Sequence, residues 1–495
     1  TATEAPVAET LLALPRERGS LNSSEAKASP ASAPPTSAPT SKPSSPPAKP
    51  APKAKNAARD TSQSARSHKM TALVAVMNKQ AVALAADSAG TVQIPGKEQH
   101  KIYAMNKVFA LSKSKPVGMM ICGDSQFLGL PWESIIKQFR RKEKDRSLAT
   151  IPEWRDSFLA YLGELTSGVD SKTRDQQFLY RYPAVLKSIL AKLEQGGARP
   201  EEMGDQLEGG ITARIEELNE ENQIAEVSAE DIDEFVAKNL GSIEEAENQL
   251  FLDHGIEPLE LEEARKPILR SLFERSLPNK RGVSEIVFAG FGEDDWFPSV
   301  FSIHVDGSTN GQVRHWVGTE AKVTREYGSE IAAFAQADIV WTLLRGIHPS
   351  LHSDLDQALQ AAFGEHVPGM IGQLLEEHIE DTDTLREIVS KIVEIGGKAY
   401  QAIRGQSDQY CFDHHTMPVL ASIQHLGKGE LAQLAESLIT TTSLKYRMAI
   451  DSQESVGGPV DVAVISKDEG FIWIQRKHYF ELQQNPAFGR LEPEL

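Results

Sequence analysis

The sequence predicts an α+β fold on three observations. Four short apolar runs, each bounded by polar or glycine-containing breaks, lie between residues 70 and 125, which is the pattern of strands packed in a sheet. Strand-like runs return at residues 284–292, 298–307 and 313–317, and again at 456–465 and 470–474. Between these groups the apolar residues recur at helical spacing, with acidic side chains among them.

Composition narrows the class. The chain has 495 residues, enough for several average domains or for one core with large insertions. Its 40% hydrophobic and 25% charged content is that of a soluble globular protein. No apolar run approaches the roughly 20 residues that span a bilayer. No stretch joins a basic start, an apolar core and a small-residue cleavage site, so the expectation is a cytoplasmic protein without a membrane partner. Only Cys122 and Cys411 occur, which fits a reducing compartment better than a disulfide framework. The net charge of −18 argues against nucleic-acid binding, which needs a basic face.

Residues 1–69 read as a disordered tail or propeptide. From Ser20 onward they are dominated by Ala, Pro, Ser and Lys, too poor in large apolar groups to offset the entropy of ordering. Leu11-Leu12-Ala13-Leu14 is their one apolar patch, and the part after Lys27, basic and poor in acids, also fits a transit peptide. Residues 70–147 open the folded core. Here Met70-Thr71-Ala-Leu-Val-Ala-Val-Met and Ala-Val-Ala-Leu-Ala-Ala-Asp87 are separated only by Asn78-Lys79-Gln80, a hairpin turn. Folding them back brings Asp87 beside Thr71 and gathers polar residues at one edge of an apolar sheet. Runs starting at Lys101, Lys107 and Pro116 follow, the last ending in Gly123. Residues 126–144 carry Phe127, Ile135, Ile136 and Phe139 at helical spacing, with Pro131 near the start and basic residues at the end.

Residues 148–281 read as an acidic helical insertion, with helices expected at 154–165, 176–193, 207–218, 229–240, 244–252 and 259–273. Packing on one side of the core explains this insertion first, and a cap or docking surface is the sharper alternative. Residues 282–350 resume the core, with Asp306-Gly307 as a turn between strands. Residues 351–426 form a second helical insertion. Residues 427–495 supply an amphipathic helix with Leu431, Leu434 and Leu438 on one face, then two strands turning at Lys467-Asp-Glu-Gly.

The polar edge holds residue types suited to acyl transfer. A threonine hydroxyl becomes a nucleophile when a base takes its proton, and the residue's own α-amine is a recognised base. That amine titrates near pH 8, so a neighbouring cation is needed to keep it unprotonated at neutral pH. Lys101 is the expected cation, held by Asp87 through an attraction of roughly 4 kcal/mol at about 4 Å before desolvation. Gly123 leaves its backbone N–H open to a developing oxyanion, where one such donor is worth about a hundredfold or more in rate.

Residues 70 to about 142 resemble the opening half of a proteasome β-type subunit and of its bacterial two-component relative, both N-terminal-nucleophile hydrolases. Thr71, Asp87, Lys101 and Gly123 fall on the family's catalytic positions, Lys101 only after a small deletion. Ala-Leu-Ala-Ala-Asp87-Ser88 and Pro131-Trp132-Glu133 are more similar still to a group of uncharacterised bacterial proteasome-like proteins. The resemblance implies a four-layer αββα sandwich interrupted by large helical insertions. It also implies a threonine peptidase or amidohydrolase acting on peptide or protein substrates, homo-oligomeric and needing neither metal nor organic cofactor. The chain departs from the family where supporting serines and an aspartate are expected. The third-helix entry reads Phe334-Ala335-Gln336, with Ser329 too early to align, and Asp451, Glu454 or Ser455 stand as alternatives near Gly457-Gly458.

An α-amine base exists only if Thr71 begins a chain, and three readings stay open. The tail is an autolytically removed propeptide, or the natural start is Met70 and its removal exposes Thr71, or the tail stays and Thr71 is inert. Precursors of this family carry glycine before the threonine, and the Met70 found here favours the second. The alternative to an enzyme is a catalytically inactive assembly or scaffold subunit, as the family's α-type subunits are. Three other candidates read as structural. Gly123-Asp124-Ser125 lacks the C-terminal Asp-x-x-His of the serine esterases it resembles, Asp413-His414-His415 lacks a further spaced ligand, and Cys122 lies in an apolar run.

Overall fold

The computed structural model describes residues 71–92, 100–102, 105–112, 114–144, 146–276, 282–448, 456–478, 480, 481 and 484. The first group of strands is β1 (Ala72–Asn78), β2 (Ala81–Ala86), β3 (Gly90–Val92), β4 (His100–Ile102), β5 (Val108–Ala110), β6 (Val117–Gly123), β7 (Gln126–Phe127) and β8 (Leu130–Pro131). Helices α1 (Trp132–Lys142), α2 (Ile151–Ser167), α3 (Ser171–Gln195), α4 (Pro200–Asn219), α5 (Ala229–Asp253) and α6 (Glu262–Glu274) follow. Next come β9 (Ser284–Gly290), β10 (Ser299–Thr309), β11 (Gln312–Lys322) and β12 (Ser329–Ala335). The chain then forms α7 (Asp338–Arg345), α8 (Pro349–Ala361), α9 (Val367–Glu376), α10 (Thr382–Cys411), α11 (Met417–Ile423) and α12 (Lys428–Met448). It closes on β13 (Asp461–Ser466) and β14 (Gly470–Gln475).

The fold is α+β. Two antiparallel sheets run in the orders β12-β1-β2-β13-β14 and β11-β10-β9-β6-β5. The strand period of two explains how the first sheet is covered on both faces. Leu73, Ala75, Met77, Val82, Leu84 and Ala86 point one way and share a core with Met120, Val287, Ala289 and Val300 of the second sheet. Their neighbours Ala72, Val74, Val76, Ala81, Ala83 and Ala85 point the other way, against Leu431, Ala435 and Leu438 of α12. Small residues on that side let the helix approach closely. This double burial is why β1 and β2 read as continuous apolar runs. The outer face of the second sheet packs Ile121, Ile286 and Phe288 against Phe139 of α1 and Trp154 and Phe158 of α2.

The β1–β2 turn is locked by Asn78, which is fully buried. Its side-chain oxygen accepts from the N–H groups of Gln80 and Ala81, and its amide donates to the carbonyls of Ile423 and Leu426 at 3.1 and 2.8 Å. The turn therefore sets the hairpin register and anchors it to α11.

Helices α3 to α6 enclose a core of their own, with Phe178 stacked on Phe273 at 3.7 Å and Phe235 edge-on to both. The helices expected at 229–240 and 244–252 are one continuous helix, α5. A single glycine, Gly241, costs only about 1 kcal/mol in a helix, too little to end one whose buried face continues on both sides. The helix expected over 126–144 begins only at Trp132, because residues 126–131 form the β7–β8 hairpin. The second insertion expected over 351–426 is helical as far as Ile423, with π-helical turns at Ala362–His366 and Phe412–Thr416.

Candidate active site

The hairpin turn dictates where the polar edge lies. Counting back from Asn78, the β1–β2 ladder pairs Leu73 with Ala86, which leaves Ala72 opposite Asp87. Asp87 N–H donates to the Ala72 carbonyl at 3.2 Å, and Ala72 N–H donates to Asp87 Oδ1 at 3.0 Å. The carboxylate is fully buried and accepts further N–H bonds on Oδ2 from Ala89 at 3.2 Å and Gly457 at 3.0 Å. A buried carboxylate so supplied with donors has its polar atoms satisfied and its orientation fixed.

The cation in this edge is Lys107, twenty residues after Asp87 and just before β5. Its Nζ donates to Asp87 Oδ1 at 2.7 Å, to Thr71 Oγ1 at 2.9 Å and to the Ala89 carbonyl at 2.5 Å. Three acceptors for three protons is the environment of an ammonium. Burial pulls Lys107 below the ordinary lysine range, and the charge of Asp87 opposes that pull. Lys477 acts on Lys107 in the same sense as burial, itself held by Asp461 through an ion pair and a backbone N–H bond of 2.9 Å.

Two further segments close around Thr71, which is itself buried. On the β12 side, the Gln336 N–H donates to the Thr71 carbonyl at 2.9 Å. Ala335, just before it, holds φ +59°, a left-handed conformation that costs a non-glycine residue about 1–2 kcal/mol. Strain of this kind persists only where the surroundings over-determine it, here between the β1 ladder and the start of α7. On the β13 side, the loop at Gly457 accepts from Ser88 N–H at 3.1 Å and donates to Asp87.

Gly123 ends β6 opposite Ser284 with φ +93°. A Cβ there would lie 2.1 Å from the Val283 carbonyl oxygen, so only glycine fits the backbone. Gly123→Ala is expected to lower unfolding stability by roughly 1–3 kcal/mol in urea titration. Cys122, the preceding residue, is buried with its Sγ 3.6 Å from Glu285 Oε2.

The structure thus brings Thr71 and Asp87 together and puts Lys107 where Lys101 was expected. Lys101 lies on β4, its backbone paired with Thr91, and its side chain is outside the described residues. The physical reason is the β3–β4 excursion, which delays the chain's return to the sheet. Lys101-Ile-Tyr and Lys107-Val-Phe look alike in sequence, and only the closed sheet separates them. Ser329 is at the far end of β12, paired with Asn78 and donating to the Leu420 carbonyl at 2.6 Å, so it does not support Thr71. Asp451, Glu454 and Ser455 lie outside the described residues. Gln336 stands at the helix entry where the resemblance expects a supporting serine, and its part, played by the backbone N–H, was not foreseen. Among the described residues no cluster of three or more His, Cys, Asp or Glu side chains could hold a metal. His414 and His415 sit on a π-helical turn, His414 against Tyr410 at 4.4 Å. No described helix is long and apolar enough to cross a membrane.

No protein-family model matches the chain, and no curated protein matches it. Among solved structures the chain is similar to the Gly-1 mutant of Anbu from Hyphomicrobium sp. strain MC1. The match has a TM-score of 0.24 and 8% identity, and covers 86% of this chain and 95% of that one.

Proposed function

We propose that the chain is a threonine-nucleophile amide hydrolase, its two sheets and flanking helices forming a four-layer αββα sandwich of the proteasome-like kind. The observation that carries this reading is the bond from Lys107 Nζ to Thr71 Oγ1, made by a lysine already held by Asp87. An ammonium on the hydroxyl stabilises the alkoxide that attack requires. Once residues up to Met70 are removed, the freed α-amine of Thr71 takes the hydroxyl proton, and the same ammonium disfavours protonation of that amine. Thr71 Oγ1 attacks a peptide carbonyl, and the Gly123 N–H is assigned to the oxyanion. The amine then hands its proton to the leaving nitrogen, and water resolves the ester. In this reading the acidic helical insertion of residues 148–281 and the second one of residues 351–426 decorate a core built from the remainder of residues 70–495. Peptide or protein substrates and homo-oligomeric assembly come with the resemblance.

The test has two parts. Intact-mass and N-terminal analysis of the natural protein is expected to find chains beginning at Thr71. A peptide epoxyketone, which needs both hydroxyl and amine, is expected to label the protein and to lose all labelling in Thr71→Ala. A second reading, an inert assembly subunit, draws on the helix entry Ala335-Gln336, where the resemblance expects a serine, and on the seventy residues that precede Thr71 in the sequence. Chains that retain those residues and take up no label would establish it.

A further inference from the structure

We propose a second, serine-dependent site for carboxylic esters where α7 meets α8, built from Ser350, His348 and Asp338. His348 is the N-cap of α8, and its Nδ1 accepts the Ser350 N–H at 3.3 Å. An acceptor Nδ1 carries no proton, so the proton sits on Nε2, which lies 3.3 Å from Asp338 Oδ2. Ser350 Oγ is 2.7 Å from the same Nδ1 and donates its hydroxyl proton to it. The imidazole therefore stands between a serine hydroxyl and a carboxylate in the tautomer of a general base. A helix cap alone needs only the backbone bond; the serine hydroxyl and the carboxylate are additional.

Asp338 is itself oriented. The Tyr446 hydroxyl from α12 is 2.8 and 2.9 Å from its two oxygens, and burial, reinforced by Asp338, keeps that phenol protonated and donating. The turn that joins the two helices is fixed as well. Gly346 holds φ +74°, with the His415 ring 2.8 Å from where its Cβ would be, and Thr416 Oγ1 donates to the Leu344 carbonyl at 3.0 Å. Asp338 and His348 are 27% and 31% exposed, open enough for a substrate to reach.

Ser350 is the second residue of α8, so the first-turn N–H of Leu351 follows it with no intrahelical acceptor and with the positive end of the helix dipole behind it. That group suits an oxyanion. Leu351 and Leu355, one turn apart and 51% and 48% exposed, offer apolar ground for an acyl group. In the first step Ser350 Oγ bonds to the ester carbonyl carbon while its proton passes to His348 Nδ1. The C–O bond then breaks, and the departing alkoxide takes that proton from Nδ1. Water, deprotonated by the same nitrogen, cleaves the acyl-serine and restores the hydroxyl. An ester fits better than an amide, because an alkoxide leaves more readily than an amine from a half-open site with a helix-terminal oxyanion donor. None of these residues belongs to the Thr71 site, so the proposal stands or falls independently of it.

The test treats the full chain with a fluorophosphonate, maps the adduct by tandem mass spectrometry, and follows p-nitrophenyl butyrate hydrolysis. The expected adduct is on Ser350, and in a Thr71→Ala background, which removes the other nucleophile, hydrolysis is expected to fall at least a hundredfold on adding Ser350→Ala or His348→Ala. No adduct on Ser350 of the unaltered chain overturns the proposal, whatever the variants do. Hydrolysis absent from the Thr71→Ala background, or within twofold of that background on adding Ser350→Ala, overturns it equally.

Discussion

Lys107→Met is expected to abolish epoxyketone labelling at Thr71 and to lower unfolding stability by about 3 kcal/mol. Removing one partner of a buried ion pair typically costs 3–5 kcal/mol because the other charge stays behind without compensation. Asp87 keeps the N–H groups of Ala72, Ala89 and Gly457, which places the loss at the low end of that range. Reactivity has no such reserve, since Nζ is the cation bonded to Thr71 Oγ1. Lys107→Arg is not expected to rescue it. A planar guanidinium cannot meet a carboxylate, a hydroxyl and the Ala89 carbonyl from the place of one tetrahedral nitrogen. Lys101→Met serves as the control and should label and unfold like the unaltered chain. Urea titration and a labelling time course read both effects. Loss of labelling in Lys101→Met with retention in Lys107→Met would return the role to Lys101.

The largest expected stability effect lies elsewhere, at Arg314. This guanidinium is fully buried and grips Asp306 with both edges, Nε to Oδ1 at 2.9 Å and Nη2 to Oδ2 at 3.2 Å. Its remaining protons go to the Phe273 and Arg275 carbonyls at the end of α6 and to Thr309 Oγ1 of β10. Arg181 of α3 reaches the same Asp306, with Nη1 3.3 Å from Oδ2 and Nη2 bonded to the Asp306 carbonyl. One carboxylate on β10 thus ties α3 and α6 to the second sheet. Burial pulls Arg181 below the usual arginine range, Asp306 opposes that, and Arg314 adds to the pull. Arg314→Met leaves two carbonyls and half of Asp306 without donors, and a loss of about 3–5 kcal/mol is expected. Chemical denaturation followed by tryptophan fluorescence measures it. A change below about 1 kcal/mol would show that the helical layer holds to the sheet without this clamp.

These two arginine and lysine sites show where reading the chain from its residues stops. Asp306-Gly307 looks in sequence like a hairpin turn, yet both lie within β10, and the turn falls at Asn310-Gly311, each with positive φ. Asn-Gly is the stronger two-residue turn signal, and the pairing of Thr309 with Gln312 closes the hairpin around it, while Asp306 is taken up by Arg314 and by Arg181 of α3. The expected break inside α5 fails because a glycine's cost is local and small, while the buried face on both sides of it belongs to the packed helices.

What the sequence determined by itself is everything that follows from period and turn: the α+β class, the buried β1–β2 hairpin, and the meeting of Thr71 with Asp87. Nearest-neighbour register needs only the Asn78 turn and the alternation of side chains, and both are written in consecutive residues. The tertiary structure alone decided which lysine reaches Thr71, and it alone set Ser350 and His348 beside an aspartate steadied by Tyr446, 108 residues further along. Such contacts close long loops, and where a loop closes depends on the packing of whole sheets and helices rather than on the residues at its ends.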